Sequence, residues 1–517
     1  MELTIINRYL VLPVRQDAEK KKLFFREGGQ CVGEWDIALC EEQPDFFAFL
    51  DVAHLIGKTI QLEAVPACSY SVRQTNQIDL PGLYEEPLRP KIHFTVKNGW
   101  NNDPNGLVYH KGVWHLYCQY NPCSTRWDNM CWLHAESPDL FHWKETGTVL
   151  LPDETGTIFS GCGIEDTGRK TGLGGKDAPL LFYYTAAGGY SEWSKNVPCT
   201  QRLAWSEDGG RTLQKYPETI VEHIEGENRD PKVIFCEELD CFVMALYLQE
   251  DRYALLTSQD LLHWEKLQEI HLPGDDECPD FFPLNCEDER RWVLIGAHDR
   301  YVIGRFIEGH FHAEQESRPL GVGPVYYAAQ SYSGAPDNRR VRIGWHRLSI
   351  PDARFSQQMG VPCEITLARH ADGFALCQQP VKEIEALREK HTVWEQTIDK
   401  TEAFPLEGGA QDLLITAPKE DTPFSLTLRG CMIGWDPTSG CWQANGLELP
   451  VVPGNPCLRI ISDTASLELF AGDGSGCCVC AVEDFSAPAT LRVETSAPLE
   501  LKIEQYALRG IHEKEGA

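Results

Sequence analysis

The chain has no long hydrophobic run. Its apolar stretches near the N-terminus are short, and Arg8 and Arg15 interrupt them. A signal peptide needs an apolar core of about 7–15 residues, and a membrane-spanning helix needs about 20. We therefore expect a cytoplasmic protein without a membrane partner. An exported form would need a leader ahead of this sequence.

Basic residues are scarce. The 517 residues include 47 Lys and Arg against 77 Asp and Glu, which gives a formal net charge of −30. Nucleic acids and anionic membranes are bound by clustered Lys and Arg, so this charge argues against a nucleic-acid partner. The hydrophobic content of 42% and the charged content of 24% are ordinary for a soluble protein. The length predicts roughly two to four domains.

Complete metal-binding motifs are also missing. The 20 cysteines form no regular framework. Their one cluster, Cys477-Cys478-Val479-Cys480, has no second CxxC or His pair to complete four ligands. Neither an EF-hand spacing nor an HExxH sequence is present. We expect reduced thiols at small core positions, and no metal or other cofactor.

Three short stretches instead stand out, because each places an acid close to a proline at the start of a predicted β-hairpin. They are Asp103-Pro104-Asn105-Gly106, Asp230-Pro231-Lys232-Val233 and Glu277-Cys278-Pro279-Asp280. Apolar and aromatic runs bounded by turn residues follow each of them, as in paired strands. Two more hairpin units, which begin near Ser160 and Val325, lack the acid.

Five such units between His93 and about residue 370 predict a five-bladed β-propeller. The predicted fold is all-β, with a small N-terminal β-sandwich over residues 1–85, the propeller over 88–375 and a C-terminal β-sandwich over 395–510. A short helical linker is expected at 380–390. The innermost strands of a propeller line a central channel, so we expect the three acids to converge at one mouth of it.

Convergent carboxylates of this kind suit the hydrolysis of a glycosidic bond. One carboxylate attacks, a second protonates the departing oxygen, and the two lie about 5–5.5 Å apart in retaining enzymes. A third can stabilise the positive charge of the transition state. We expect Arg229 to lower the pKa of the adjacent Asp230 and to keep it ionised. A single Asp-Pro is usually a turn former, but three acids in register indicate a shared centre.

At these residues the sequence resembles glycoside hydrolase family 32, the β-fructofuranosidases (invertases, inulinases and levanases). Trp100-Asn101-Asn102-Asp103-Pro104-Asn105-Gly106 is similar to the family's W-x-N-D-P-N-G, and the other two acids lie in sequences similar to R-D-P and E-C-P-D. The resemblance covers about residues 88–510. It implies that Asp103 is the nucleophile, Glu277 the acid/base and Asp230 the transition-state stabiliser, with no metal.

The implied activity is the retaining hydrolysis of terminal β-D-fructofuranosyl units in fructans or fructooligosaccharides of the levan or inulin type, with sucrose as a further substrate. Asn101 departs from the family, which usually has an apolar residue there. Trp127 and Trp345 could equally pack inside the propeller. The candidate sugar-binding residues are Trp100, Asn102, Gln119, Trp127, Phe159, Ser160, Arg229 and Trp345.

Two other functions stay open at this point. A fructosyltransferase on the same scaffold would form trisaccharides at high sucrose concentration, and a non-catalytic fructan-binding protein would be indifferent to loss of Asp103. The sequence does not separate sucrose, inulin and levan as substrates, and it does not indicate an oligomeric state. The N-terminal sandwich resembles an extra module of some levanase-like bacterial members.

Overall fold

The computed structural model describes residues 1–371, 373–417, 421–449, 457–487 and 489–512. Almost all of the regular structure in these residues is β, which confirms the all-β class. The helices found there are short 3-10 turns, at Ala53–Leu55, Pro336–Asn338 and Lys382–Leu387. In these same residues, none of the helices combines the length and the apolar character needed to cross a membrane.

The N-terminal region forms two packed sheets. In spatial order, one consists of Glu2–Thr4, Thr59–Val65, Lys21–Glu27 and Gln30–Ile37, and the other of Phe46–Asp51, Tyr9–Val14 and Arg73–Thr75. Successive side chains of a strand point to opposite faces. Leu10, Leu12 and Val14 accordingly enter the core between the sheets, whereas Tyr9 and Val11 pack with Phe49 on the other face.

Five antiparallel sheets follow between Gly99 and Pro380, one for each predicted hairpin unit, and we call them sheets I to V. Sheet I has the strands Gly99–His110, Val113–Asn121, Cys131–Ser137 and Lys144–Leu150, with Phe355–Ser356 added in parallel beside the first. Sheet II has Thr157–Glu165, Leu180–Ala187, Thr200–Ser206 and Gln214–Lys215, and sheet III has Arg229–Cys236, Cys241–Gln249, Arg252–Ser258 and Glu265–His271. Sheet IV has Asp280–Cys286, Glu289–Ile295, Arg300–Ile307, His310–Ala313 and Arg318–Pro319, and sheet V has Tyr326–Ser331, Val341–His346, Gln358–Met359, Cys363–His370 and Gly373–Pro380.

The first strands of these sheets form a closed ring. Each contacts the first strand of the next sheet, and that of sheet V contacts that of sheet I. A buried ion pair inside the ring joins three of them: Lys232 Nζ of sheet III lies 3.1 Å from Asp280 Oδ1 of sheet IV, and Asp280 Oδ2 accepts the backbone N–H of Ser331 of sheet V at 2.7 Å. This closed ring is that of a β-propeller, as predicted, while the count of five blades stays a prediction. Asp280 links three of the inner strands.

A C-terminal sandwich packs against the propeller. In spatial order, its larger sheet runs Gly321–Val322, Gly476–Ala481, Ser466–Ala471, Cys457–Ser462, Ala410–Thr416, Leu499–Leu508 and Arg388–Ile398, and the smaller one Thr401–Pro405, Thr490–Thr495, Phe424–Leu428, Cys431–Asp436, Cys441–Ala444 and Leu447–Glu448. Arg388 already begins a strand, so the helical linker is shorter than expected. The domain limits stay predictions.

Buried polar groups join this sandwich to the propeller. The His93 ring, which is fully buried, lies between two carboxylates of the sandwich: Nδ1 is 2.7 Å from Asp463 Oδ2 and Nε2 is 2.6 Å from Glu468 Oε1. The cysteine cluster of the sequence lies nearby and contributes to packing, with Cys477 in the interface core and Cys478 in the core of the sandwich itself.

Candidate active site

The first strands of sheets I, II, III and V are irregular, and in sheets I, II and III the irregular points carry predicted site residues. Their pairing with the second strand shifts between Asn101 and Pro104, Ile158 and Gly161, Arg229 and Lys232, and Tyr327 and Gln330. Such bulges turn side chains out of the normal alternation. Proline has no N–H to donate to the ladder, so Pro104 and Pro231 of the two Asp-Pro pairs are compatible with these positions.

These irregularities surround one cavity of about 240 Å³. Every predicted site residue except Trp100 lines it. The lining residues are Asn102, Asp103, Gln119, Trp127, Met130, Phe159, Ser160, Tyr190, Arg229, Asp230, Glu277, Tyr327 and Trp345. The structure therefore brings the three predicted carboxylates together, while the role of each one stays a prediction.

The Asp103 carboxylate is held at both oxygens. Ser160 Oγ donates to Oδ2 at 2.6 Å, and Asn102 Nδ2 donates to Oδ1 at 3.1 Å. Asn102 is itself fixed by Trp100, whose Nε1 donates to Asn102 Oδ1 at 2.8 Å. Trp100 thus supports a lining residue from behind rather than lining the cavity. Burial raises the pKa of Asp103, and the hydrogen bonds from Ser160 and Asn102 oppose that rise.

Asp230 is the most deeply buried of the three, with 2% of its surface exposed. Its Oδ2 accepts the backbone N–H of Cys278 at 3.0 Å and lies 3.7 Å from Arg229 Nε. Burial raises the pKa of Asp230 to about 7, although Arg229 acts in the opposite direction. The expectation that Arg229 would bring this pKa below its usual value is therefore wrong, because desolvation outweighs the neighbouring charge.

Glu277 is fixed by one cation and one hydroxyl. Arg229 Nη2 donates to Oε1 at 2.7 Å, and the Tyr327 hydroxyl donates to Oε2 at 2.9 Å. Arg229 also lies over the Tyr247 ring, 5.0 Å from its centroid, so its guanidinium cannot swing freely. The carboxyl is held by partners from sheets III and V, although it precedes the first strand of sheet IV.

The backbone is unusual at two of the three acids. Asp230 and Glu277 have φ angles of 63° and 50°, and Cys278 and Ala328 have 33° and 51°. Left-handed φ in residues other than glycine is uncommon and costs about 1–3 kcal/mol at such positions. The surrounding sheets hold this strain at the cavity, where it aims the carboxylates inward.

One side of the cavity is aromatic. We call Trp127, Phe159 and Tyr190 the aromatic wall: Tyr190 lies 4.9 Å from Phe159 and 6.2 Å from Trp127 between ring centroids. Trp127 and Tyr190 are 45% and 41% exposed, so both have surface available to a ligand. Two further rings line the cavity: Trp345 packs edge-on against Tyr327, with 6.0 Å between centroids.

Sequence reasoning missed three lining residues: Met130, Tyr190 and Tyr327. Tyr327 belongs to a stretch that resembles the family, Tyr327-Ala328-Ala329-Gln330, and could have been selected on that ground. Tyr190 follows Gly188-Gly189 in a connection between two strands of sheet II, where neither periodicity nor a motif marks it. Met130 likewise carries no signal of its own.

Two groups of side chains elsewhere in the described residues have donors suited to a metal. They are His93, His346 and Glu468, and His370, Cys377 and Asp473, with the ligand atoms of each group within 4.8 Å of one another. Neither group lines the cavity. In the first, both nitrogens of His93 already bond carboxylates. The chemistry of the cavity itself thus depends on its carboxylates and their partners.

Comparison with known proteins agrees with this geometry. The sequence profile described as the N-terminal domain of glycosyl hydrolases family 32 matches residues 93–380, which is more than half of the chain. The chain belongs to glycoside hydrolase family 32. The matched part begins at sheet I and ends with sheet V, so the family 32 core includes every residue that lines the cavity. The N-terminal sandwich lies outside it.

Among curated relatives, a levanase of Bacillus subtilis is 31% identical over 455 residues, which are 76% of this chain and 66% of the levanase. An extracellular exo-inulinase of Aspergillus niger is 28% identical over 479 residues, 76% of this chain and 88% of the inulinase. An invertase of Schizosaccharomyces pombe is 32% identical over 320 residues, 55% of this chain and 54% of the invertase.

Solved structures show the same fold. The exo-inulinase of Aspergillus awamori superposes with a TM-score of 0.73 at 24% identity, over 83% of this chain and 99% of the inulinase. A family 32 β-fructofuranosidase of Bombyx mori superposes with a TM-score of 0.65 at 25% identity, over 82% and 94% of the two chains. The first of these likenesses supports the fold, and the family assignment rests on the sequence match.

Proposed function

We propose that this family 32 protein is a retaining glycoside hydrolase that releases terminal β-D-fructofuranosyl units from fructans and fructooligosaccharides, with sucrose as a further substrate. The observation that carries the proposal is the meeting of Asp103, Asp230 and Glu277 at one cavity. Relatives named levanase, exo-inulinase and invertase support a substrate that contains fructose.

The proposed first step is attack by Asp103 on the anomeric carbon C2 of the fructosyl unit. The Asp103–C2 bond forms as the bond from C2 to the leaving oxygen breaks, and protonated Glu277 gives its proton to that oxygen. Ser160 and Asn102 hold the Asp103 carboxylate in place through the bonds described above, so little reorganisation is needed when it attacks.

In the second step, water attacks C2 of the fructosyl-enzyme while Glu277 takes the proton of that water. The ester bond to Asp103 breaks, and fructose leaves with its original configuration. The Arg229 ion pair, at 2.7 Å, suits the ionised Glu277 that this step needs as a base. Asp230 is positioned to interact with the sugar hydroxyls and the positive charge of both transition states.

The test is the product formed from sucrose, 1-kestose, inulin and levan, followed by NMR in the first seconds of the reaction. We expect fructose to appear first as the β-anomer, because two displacements at C2 retain configuration. Release of the α-anomer would contradict the proposed roles of Asp103 and Glu277. Trisaccharides in place of free fructose at high sucrose concentration would identify a fructosyltransferase instead.

We further propose a cytoplasmic location. The cysteines other than Cys457 are free thiols, and most of them are buried. Such use of cysteine is typical of proteins that work in a reducing compartment. Fractionation of the source cells with an antibody to the protein tests this, and recovery of the protein outside the cell would contradict it.

A further inference from the structure

The N-terminal sandwich contacts both segments that carry the exposed residues of the aromatic wall. Next to Trp127, Asn129 forms two hydrogen bonds with the main chain of Asp36: the Asp36 N–H donates to Asn129 Oδ1 at 2.7 Å, and Asn129 Nδ2 donates to the Asp36 carbonyl at 2.8 Å. Gln16 Oε1 accepts the Thr125 hydroxyl at 2.7 Å. The sandwich therefore adjoins the sugar cavity, although it lies outside the matched family region.

Glu34 makes the contact with the second segment, residues 188–199, which we call the Tyr190 loop. Only 3% of the Glu34 side chain is exposed. Its Oε1 accepts the backbone N–H of Glu192 at 3.0 Å, and its Oε2 accepts that of Trp193 at 2.7 Å. Lys22 Nζ lies 3.1 Å from Oε1 and balances the charge. A buried carboxylate is costly unless it is paired and hydrogen-bonded, and here both of its oxygens hold the loop.

The Tyr190 loop has little room to adopt another path. Gly188 passes so close to the Val197 carbonyl that a Cβ on Gly188 would overlap it. The Gly189 N–H donates to the Ser194 carbonyl at 2.9 Å, and Ser194 is fully buried. A displacement of the Glu192 and Trp193 backbone would thus move the whole loop, including Tyr190.

Tyr190 links this loop to the carboxylate centre. Its hydroxyl donates to Glu227 Oε2 at 3.3 Å, and the same oxygen accepts Arg229 Nη1 at 3.2 Å. Arg229 in turn bonds Glu277. The ring of Tyr190 stays 41% exposed at the rim of the cavity. Tyr190 is thereby connected, through Glu227 and Arg229, to Glu277, the proposed donor of the proton to the departing oxygen.

We propose that the N-terminal sandwich, through Glu34, positions Tyr190 as the contact for the sugar on the leaving side of the bond that is cleaved. This rests on the proposed function. An aromatic ring at a rim offers an apolar surface for the C–H face of a sugar, together with a polar edge. Glu34 touches no substrate and acts as a positioning residue. The sandwich thereby favours fructan chains over substrates with a small leaving group.

Two substrates distinguish a contact with the sugar on the leaving side from a general effect on the enzyme. 1-Kestose loses a disaccharide that can reach Tyr190, whereas methyl β-D-fructofuranoside loses methanol, which cannot. We expect Tyr190→Ala to raise KM for 1-kestose about tenfold and to leave KM for the methyl fructoside unchanged. Glu34→Gln keeps the shape but places an amide N–H₂ against a backbone N–H, so we expect a several-fold rise in KM for 1-kestose alone.

Glu63→Gln is the matched control, since Glu63 belongs to the same sandwich, is 43% exposed and bonds Arg26 at 2.8 Å. It should change neither KM. In the Tyr190→Ala background, Glu34→Gln should not raise KM for 1-kestose further, because Glu34 is proposed to act only through Tyr190. Equal losses on both substrates, no loss on either, or additive effects would overturn the proposal. If the unaltered enzyme releases fructose from neither substrate, the proposed function itself fails.

Discussion

At the scale of single residues, burial has a larger effect on the pKa of Asp230 than the charge of the adjacent Arg229. The adjacent Arg229 favours the ionised carboxylate, yet burial raises the pKa of Asp230 to about 7. The sequence shows that Arg229 is adjacent to Asp230. It does not show how deeply Asp230 is buried, because that depends on the closure of the whole ring of inner strands. For this reason the direction of the Asp230 pKa could not be predicted from the sequence, while its catalytic role stays a prediction.

This raised pKa predicts a pH-dependent cost in stability. An Asp in the unfolded chain loses its proton near pH 3.9, whereas the folded protein keeps the proton of Asp230 up to about pH 7. Stability contributed by Asp230 is therefore lost as pH rises between these values. We expect Asp230→Asn to have a higher Tm than the unaltered protein at pH 8, with the gap closing towards pH 4. Asp288→Asn, at an exposed position, is the control and should show no such gap. A difference in Tm between Asp230→Asn and the unaltered protein that is the same at both pH values would contradict the argument.

Asn101 allows a second prediction at this scale. It is fully buried, and neither side-chain atom has a hydrogen-bond partner among the described residues. An unpaired buried amide costs about 1–3 kcal/mol. Because the position is buried and the amide is unpaired, we expect Asn101→Leu to raise the free energy of unfolding by about that amount, as measured by urea denaturation. An equal or lower stability would show that the amide is satisfied in solution.

At the scale of elements, the hairpins were predictable and their bulges were not. Turn residues and apolar runs mark the paired strands, and the acids mark the start of the inner ones. A bulge depends on which residue of the partner strand lies opposite, and that register is set in three dimensions. The Tyr190 loop was missed for a related reason: its contact with Glu34 joins the propeller to the N-terminal sandwich, and the sequence does not show which loops of two domains meet.

Gly161 tests the bulge that presents Ser160. The strand runs so close to its neighbour that a Cβ on Gly161 would overlap the Tyr183 carbonyl. We expect Gly161→Ala to cost about 3 kcal/mol of stability and to lower kcat for fructose release by moving Ser160 away from Asp103. Gly168→Ala is the control, since the nearest atoms to its Cβ would lie at 3.4 Å, on a flexible Lys170 side chain. Equal behaviour of the two variants would contradict the prediction.

At the scale of the whole molecule, His93 ties the propeller to the C-terminal sandwich. The carboxylates of Asp463 and Glu468, working against full burial, raise the pKa of His93 to about 9. This ion bridge is therefore complete below the unfolded pKa of about 6.5 and is lost as pH rises through about 9. A shift of this size corresponds to roughly 3 kcal/mol.

We accordingly expect His93→Gln to be less stable than the unaltered protein at pH 6, with the difference in Tm shrinking above pH 9. His391→Gln is the control, because His391 lies beside Glu504 in the C-terminal sandwich but is 43% exposed. Its Tm should follow that of the unaltered protein throughout. A His93→Gln deficit that is independent of pH would show that the bridge does not titrate in this range.

The central claim is that three acids distant in the sequence act on one fructosyl unit, and Asp103→Asn tests it most directly. The change removes the attacking charge and keeps the shape. For 1-kestose, we expect kcat to fall by about four orders of magnitude, while circular dichroism and Tm stay close to those of the unaltered protein. Fructose release at an undiminished rate by a folded Asp103→Asn variant would contradict the claim.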